Sequence, residues 1–425
     1  MRACARRIGT HELDMWFKMA VHLPLSHESS PFLTPSKEYA MSPHSTWIDH
    51  FPGNFLWSNA TLIVKAMAPY GAVALGEIDD VCEKLRQRQN EPHAWWEEWC
   101  AVGERVAKTG DAAEAAGHPL TAANYFLRAG MYYFTGERFI PPGDEKRACG
   151  RKAIELQTKG ILRRHPNVER VEVPYEGTTL PALFMKAPGG TQRAPTVVLF
   201  DGLDNCKEMS VLFAGLEFAR RGWNTLSIDG PGQGESVRLR DIKSRYDYEV
   251  AGTAAYDFVA ARPEVDAGKV AVMGYSFGGY YAPRVVAFEK RYAACIAFGA
   301  MFWDMAQWVA GIRETVRTDA KKSAQSHFQV PWVFGAKDLD EAVVMAERFN
   351  LAAVAARVEC PFLVVHGEND RIVPLDSAQM LYDAIGSKRK TLKVFTVAEG
   401  GAEHVQFDNR QVGVDYIADW IADNI

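Results

Sequence analysis

The sequence predicts an α/β fold: a mostly parallel sheet of eight strands with helices between them, preceded by a helical segment. Three observations predict it. From about Val168 onward, short β-branched runs alternate with helical patterns. Before Val168 there is almost no strand-like run, and apolar residues recur at helical spacing. One of the strand runs, Lys269–Gly274, feeds directly into the turn Gly274-Tyr-Ser-Phe-Gly and then into a helical pattern.

The strand runs, in order, are Val168–Pro174, Leu180–Lys186, Pro195–Asp201, Trp223–Asp229, Lys269–Gly274, Ala293–Gly299, Phe362–His366 and Leu392–Val397. The first two are separated only by Tyr175-Glu176-Gly177, as in an antiparallel hairpin. Ala94–Lys108, Ala122–Phe134 and Glu145–Arg164 read as amphipathic helices ahead of the sheet. Their aromatic residues are expected to form mostly helix–helix core, with one or two reaching substrate. The strand alternation lapses again between Gly299 and Cys360, in a stretch carrying Trp303, Trp308, Phe328, Trp332 and Phe334. An insertion there falls at the strand edge where ligands bind in α/β sheets. The expected division is therefore an extended N-terminal arm over 1–50, a helical cap domain over 51–166, and a catalytic domain over 167–425 with a helical insertion over 300–359.

Composition excludes several functions. In 425 residues, 48% are hydrophobic and 24% charged, enough for a large core, and the net charge of −5 provides no basic field for nucleic acid or an anionic membrane. The seven cysteines are scattered without a CxxC pair or a His/Cys cluster, so reduced thiols and no metal site are expected. Charged residues interrupt the N-terminal 25 residues, and the longest apolar stretch, Ala293–Trp303, is too short to span a bilayer. A cytoplasmic location is expected.

The chemistry concentrates at strand ends. In the turn after Lys269–Gly274, Ser276 occupies the strained position of a nucleophile elbow, and Gly274 and Gly278 permit strand and helix to approach closely. The acid and base of such a site follow in the order Ser, Asp/Glu, His. Asp370, just past the strand Phe362–His366, and His404, in the loop after the last strand, meet that order. His404 is the expected general base and Asp370 the group that orients it. His366 reads as structural, Glu368 as a fallback acid, and Glu403 as solvated or a secondary contact. The expected oxyanion donors are the backbone N–H groups of Phe277 and of Leu203, in Phe200-Asp-Gly-Leu-Asp after the third strand. Asp201 and Asp204 beside them could contact substrate or simply form the turn. Cys206 lacks an elbow and is not read as a nucleophile. Asp229-Gly-Pro-Gly-Gln-Gly-Glu lacks the Lys-Ser/Thr of a P-loop, so no nucleotide cofactor is expected, and its glycines read as shaping a tight loop beneath the site. Together these features make the prediction an α/β-hydrolase core with an eight-stranded, mostly parallel sheet plus an N-terminal helical cap domain.

Gly202-Leu-Asp-Asn-Cys-Lys-Glu, Ile228-Asp-Gly-Pro-Gly-Gln-Gly-Glu, Gly274-Tyr-Ser-Phe-Gly-Gly and Ala293-Ala-Cys-Ile-Ala-Phe-Gly, behind a helical cap, resemble the 2,6-dihydroxypseudo-oxynicotine hydrolase family, a cap-bearing branch of the α/β-hydrolases. The resemblance covers most of the chain after about residue 90 and is stronger for fold and triad than for substrate. It implies a triad of Ser276, Asp370 and His404, a homodimer, and hydrolysis of a carbon–carbon bond beside a carbonyl in a small, hydrophobic aryl ketone or β-diketone-like substrate. It also implies an additional carboxylate, for which Asp304 after the sixth strand is the candidate. A carboxylesterase or lactonase would use the same triad. A ligand-binding receptor on a hydrolase scaffold is the alternative of another class, and an intact triad argues against it.

Overall fold

The computed structural model describes residues 48–89, 91, 93–189, 193–203, 205–300, 303–318 and 328–425. The expected N-terminal arm therefore falls almost wholly outside the described residues. Five helices precede the first strand: α1 (Phe55–Lys65), α2 (Leu75–Gln87), α3 (Ala94–Ala115), α4 (Pro119–Glu137) and α5 (Asp144–Arg164). The sequence pattern marks α3 from its first residue through Lys108, the middle of α4 and nearly all of α5, but misses α1 and α2. The start of α1 is set by Asn54, whose side chain accepts from Trp57 N–H at 3.2 Å, a cap for a donor the helix leaves unpaired. Pro119 at the first turn of α4 costs no helical hydrogen bond, so α4 begins ahead of the predicted stretch.

All eight predicted strands form. They are β1 (Val168–Tyr175), β2 (Thr178–Met185), β3 (Ala194–Phe200), β4 (Asn224–Ile228), β5 (Val265–Tyr275), β6 (Ala294–Phe298), β7 (Phe362–Gly367) and β8 (Lys390–Phe395), in the order β1-β2-β4-β3-β5-β6-β7-β8. β2 runs antiparallel to both its neighbours, and the pairs from β4 to β8 are parallel. The β1–β2 hairpin closes through Glu176 and Gly177, with φ of 40° and 80°, the two left-handed residues of a turn that matches strand twist.

The central strands read as unbroken apolar runs because both faces are covered. Val197, Leu199, Ala271, Met273, Leu363 and Val365 point into one apolar cluster, and Val198, Phe200, Val270, Val272, Phe362 and Val364 into a second. The first cluster is continuous with Trp57, Trp95, Trp99 and Tyr132 of the N-terminal helices, so the helical segment shares its core with the sheet. Those aromatic residues pack on one another, with ring centroids 5.3 Å apart for Trp57–Trp95, 5.6 Å for Trp95–Trp99 and 5.9 Å for Trp99–Tyr132. They are helix–helix core, as expected for most of them.

A buried ion trio adds a polar tie between the same parts. Glu137 at the end of α4 meets Lys146 of α5 at 2.6 Å and Arg238 of the helix Gly234–Leu239 at 3.0 Å. The Trp332 ring lies 4.8 Å from Lys146 Nζ, which brings the 300–359 insertion to this junction. That insertion carries helices at Met305–Thr318, Gln329–Phe334 and Leu339–Ala346. No helix among the described residues is long and apolar enough to cross a membrane.

Candidate active site

The elbow is built by close contacts that only glycine permits. A Cβ on Gly274 would lie 1.9 Å from the carbonyl oxygen of Gly278, and one on Gly278 would lie 2.6 Å from that of Phe200. Between them Ser276 is held at φ 55°, a left-handed conformation that a non-glycine residue adopts only when its surroundings impose it. Part of that constraint is the bond from Ser276 N–H to Phe298 O, 2.8 Å, which ties the elbow to the end of β6. The helix Gly278–Phe288 follows at once.

Three loops at the same sheet edge bring the predicted acid and base to this serine. His404 Nε2 lies 2.8 Å from Ser276 Oγ, and His404 Nδ1 lies 2.6 Å from Asp370 Oδ2. An ionised carboxylate only accepts hydrogen bonds, so Nδ1 carries the proton and Nε2 is left to accept from the serine hydroxyl. Asp370 is fully buried, and its other oxygen accepts from Ile372 and Val373 N–H at 2.9 and 2.8 Å. Burial pushes its pKa up, but the imidazoles of His404 and His366 and the Val373 N–H more than reverse this and hold it below the ordinary range.

His366 is structural, as expected. It is fully buried 3.5 Å behind Asp370, its Nε2 donates to Val373 O at 3.0 Å, and burial lowers its pKa. Glu368 is exposed and accepts from Val397 N–H. Glu403 is not solvated: it is buried against Arg371, with the guanidinium 3.1 Å away. Burial also pushes the Cys206 thiol well up, in keeping with an inert cysteine.

Residues 191–399 match the family model of serine aminopeptidases, S33. The chain is 27% identical over 361 residues to the α/β hydrolase xenA of Xenoacremonium sinensis, covering 74% of this chain and 82% of that one. It is 28% identical over 306 residues to 2,6-dihydropseudooxynicotine hydrolase of Paenarthrobacter nicotinovorans, covering 71% and 77%. The crystal structure of 2,6-dihydroxy-pseudo-oxynicotine hydrolase superposes with a TM-score of 0.69 at 24% identity, over 85% of this chain and 95% of that one. The chain has the α/β-hydrolase fold.

In this α/β-hydrolase fold the loop after β3 abuts Ser276. A Cβ on Gly202 would sit 2.9 Å from Ser276 Cβ, which places Leu203 beside the elbow, while Phe277 directly follows Ser276. The Phe277 ring packs on Phe334 and Phe349, with centroids 6.0 and 5.6 Å away, so the insertion reaches the elbow. Asp204 lies outside the described residues. Asp304 requires a correction. Its exposed carboxylate accepts from Ala306 and Gln307 N–H at 3.1 and 3.3 Å, so it caps the helix Met305–Thr318, and none of its hydrogen bonds among the described residues reaches the triad.

Asp201 is fully buried, with its carboxyl accepting from Ser210 Oγ. Ser210 and Asn205 in turn hydrogen-bond to the Tyr275 hydroxyl, at 3.3 and 2.8 Å. The Asp229-Gly-Pro-Gly-Gln-Gly-Glu loop braces this strand end. Gln233 donates to Asp201 O, and Gly234 N–H donates to Asn205 O at 2.7 Å.

Sequence reasoning missed Asp408, whose carboxylate wraps the base loop. It accepts from the N–H groups of Gly401, Ala402 and Glu403 at 2.9, 3.1 and 3.1 Å, the three residues immediately before His404. Val405 and Gln406, just after His404, are held at φ 41° and 50°, so the loop carries strain that those bonds offset. Its one sequence signal is an acid four residues beyond His404 in a glycine-rich loop, a pattern too common to be decisive. Asp408→Ala is expected to slow phosphonylation of Ser276 by a fluorophosphonate by about 10²-fold, because small misplacements of a base are costly. An unchanged labelling rate would show that the loop holds His404 without Asp408.

Proposed function

We propose that this protein is a serine hydrolase that cleaves a carbon–carbon bond beside a carbonyl, in a hydrophobic aromatic ketone or β-diketone-like substrate. The observation that carries the hydrolytic part is the unbroken chain from Ser276 Oγ through His404 to buried Asp370, at 2.8 and 2.6 Å. In this reading Ser276 Oγ attacks the carbonyl while His404 Nε2 takes its proton, and Asp370 stabilises the resulting imidazolium. The tetrahedral oxyanion is received by the N–H groups of Leu203 and Phe277. Its collapse breaks the bond to the adjacent carbon, which leaves as an enolate and takes the proton back from His404. Water activated by the same imidazole then releases the acyl group as an acid.

The substrate class rests on the similarity to 2,6-dihydropseudooxynicotine hydrolase over 71% of this chain. One observation favours a second reading. Asp304 caps the helix Met305–Thr318, and a carboxylesterase or lactonase needs no carboxylate beyond that of the triad.

The deciding experiment incubates the wild type and Ser276→Ala with aryl 1,3-diketones, acylphenols and aryl esters, and identifies products by mass spectrometry. The proposal expects a ketone split into an acid and a shorter carbon fragment by the wild type alone. Cleavage of esters only would replace it with the carboxylesterase reading. Turnover of no substrate, with Ser276 also unlabelled by a fluorophosphonate, would favour a ligand-binding role.

A further inference from the structure

Away from the triad, the short turn Ala68–Tyr70, the end of α5, the helix Leu216–Arg220 and the start of the C-terminal helix Arg410–Asn424 enclose a cavity of about 390 Å³. Tyr70, Arg164, His165, Glu217, Arg220 and Gln411 are among its lining residues, which include no member of the triad or of the loops that carry it. It lies where the N-terminal helices meet the helices that cover one face of the sheet.

The lining holds an excess of unpartnered donors. Tyr70 is 6% exposed, and its hydroxyl has no hydrogen-bond partner among the described residues. His165 Nε2 is likewise buried without one. Burial, reinforced by Arg164 and Arg220, brings the His165 pKa down to about 4, so the ring is neutral at physiological pH and can offer an N–H from Nε2. Arg164 donates only to Gly71 O at 3.3 Å and has no carboxylate partner among the described residues, and burial lowers its pKa as well. The one acid in the lining is already matched: Glu217 is paired with Arg220 and, at 3.1 Å, with Arg221.

A second cation lies close by. Arg410 is 3% exposed, and none of its three guanidinium nitrogens has a hydrogen-bond partner among the described residues. It is packed against the rings of Phe213 and Phe407, 4.0 and 4.6 Å away, and it is the charge felt most strongly by the Tyr70 hydroxyl. A guanidinium stays protonated when buried, so its field at this cavity is permanent. Donors left unpaired out of water each carry a desolvation cost that a suitable acceptor would relieve. The acceptor that suits a phenol O–H, an imidazole N–H and a planar guanidinium together is an oxyanion, which accepts several charge-assisted bonds at once.

We propose that this cavity binds a small oxyanion, a carboxylate or a phosphate, at a site separate from the nucleophile. The test titrates the full chain calorimetrically with inorganic phosphate and, separately, with succinate, at fixed ionic strength with chloride as the balancing anion. Saturable binding of at least one of them is expected with Kd below ~1 mM. Arg164→Gln and Tyr70→Phe should each weaken it, the arginine change by about tenfold or more through loss of a charged, bidentate donor. Both variants should keep the wild-type rate of Ser276 phosphonylation, which separates this site from the catalytic one. Preference for phosphate would identify the ligand as phosphate-bearing, and preference for succinate as a carboxylate. Absence of saturable binding, or binding unchanged in the Tyr70→Phe protein and in any folded Arg164→Gln protein, would overturn the proposal.

Discussion

Ser276→Ala is expected to lower hydrolysis by about 10⁴- to 10⁶-fold and to abolish fluorophosphonate labelling, since the remaining groups retain only binding and oxyanion contributions. The geometry makes a second, independent demand on the same position. Ser276 sits at φ 55°, where an L-residue clashes with its own backbone and glycine does not. Ser276→Gly should therefore be equally inactive yet more stable than Ser276→Ala, by roughly 1 kcal/mol. Denaturant unfolding of the two variants, read beside their labelling, checks both halves. Glycine and alanine variants of equal stability would mean the elbow is not strained, and residual labelling of either would mean that another residue is the nucleophile.

Lys207→Met is expected to cost about 3–5 kcal/mol of stability, the effect of removing one partner from a buried ionic cluster. Lys207 is fully buried, and its ammonium lies 2.9 Å from Glu208, 2.9 Å from Asp229 and 3.1 Å from Glu235. Burial alone would lower its pKa, but Asp229, Glu208 and Glu235 outweigh that and hold it above the ordinary lysine value, so it is charged. Arg170 and Arg240 share Glu235, at 2.8 and 3.0 Å, and leave Glu208 and Asp229 dependent on Lys207. Methionine fills a similar volume without the charge, and the two carboxylates would then be desolvated and uncompensated.

The pH dependence distinguishes this from a packing defect. Orphaned carboxyls have folded pKa values raised above their unfolded ones, so the folded variant binds more protons than the unfolded chain between the two. Its stability deficit should shrink as pH falls toward 4, and urea unfolding at several pH values measures this. A deficit below about 1 kcal/mol would place the cluster among solvated ion pairs, and one that ignores pH would indicate lost packing. The backbone N–H of residue 207, which methionine keeps, still donates to Asp229 at 2.6 Å, so the change removes the charge and leaves that tie in place.

The features legible in the sequence are those whose physical cause is local. The elbow is readable because strand, serine and helix are contiguous, and the clash that demands glycine at 274 and 278 arises within a few residues and the neighbouring strand end. The hairpin at Glu176-Gly177 and the apolar runs of β3 to β7 are readable for the same reason. Asp370 and His404 were found because chain order and strand-end position narrowed the choice, and they meet at Ser276. Asp304 shows the limit of that reasoning. An acid in a loop after a strand and just before a helix fits both a site and a cap, and only the N–H groups of Ala306 and Gln307 decide between them.

Local pattern and propensity by themselves determined the α/β class, the eight strands and the three residues that converge at the site. Only the tertiary structure decided that the N-terminal helices share a core with the sheet, that Asp408 grips the loop of His404, that Lys207 joins three carboxylates, and that Arg164 and Arg410 have no carboxylate partner among the described residues. Alternation and turn chemistry act between neighbours in the chain. Burial and ion pairing depend on which distant segments exclude water from a group, and that is settled only when the chain has folded.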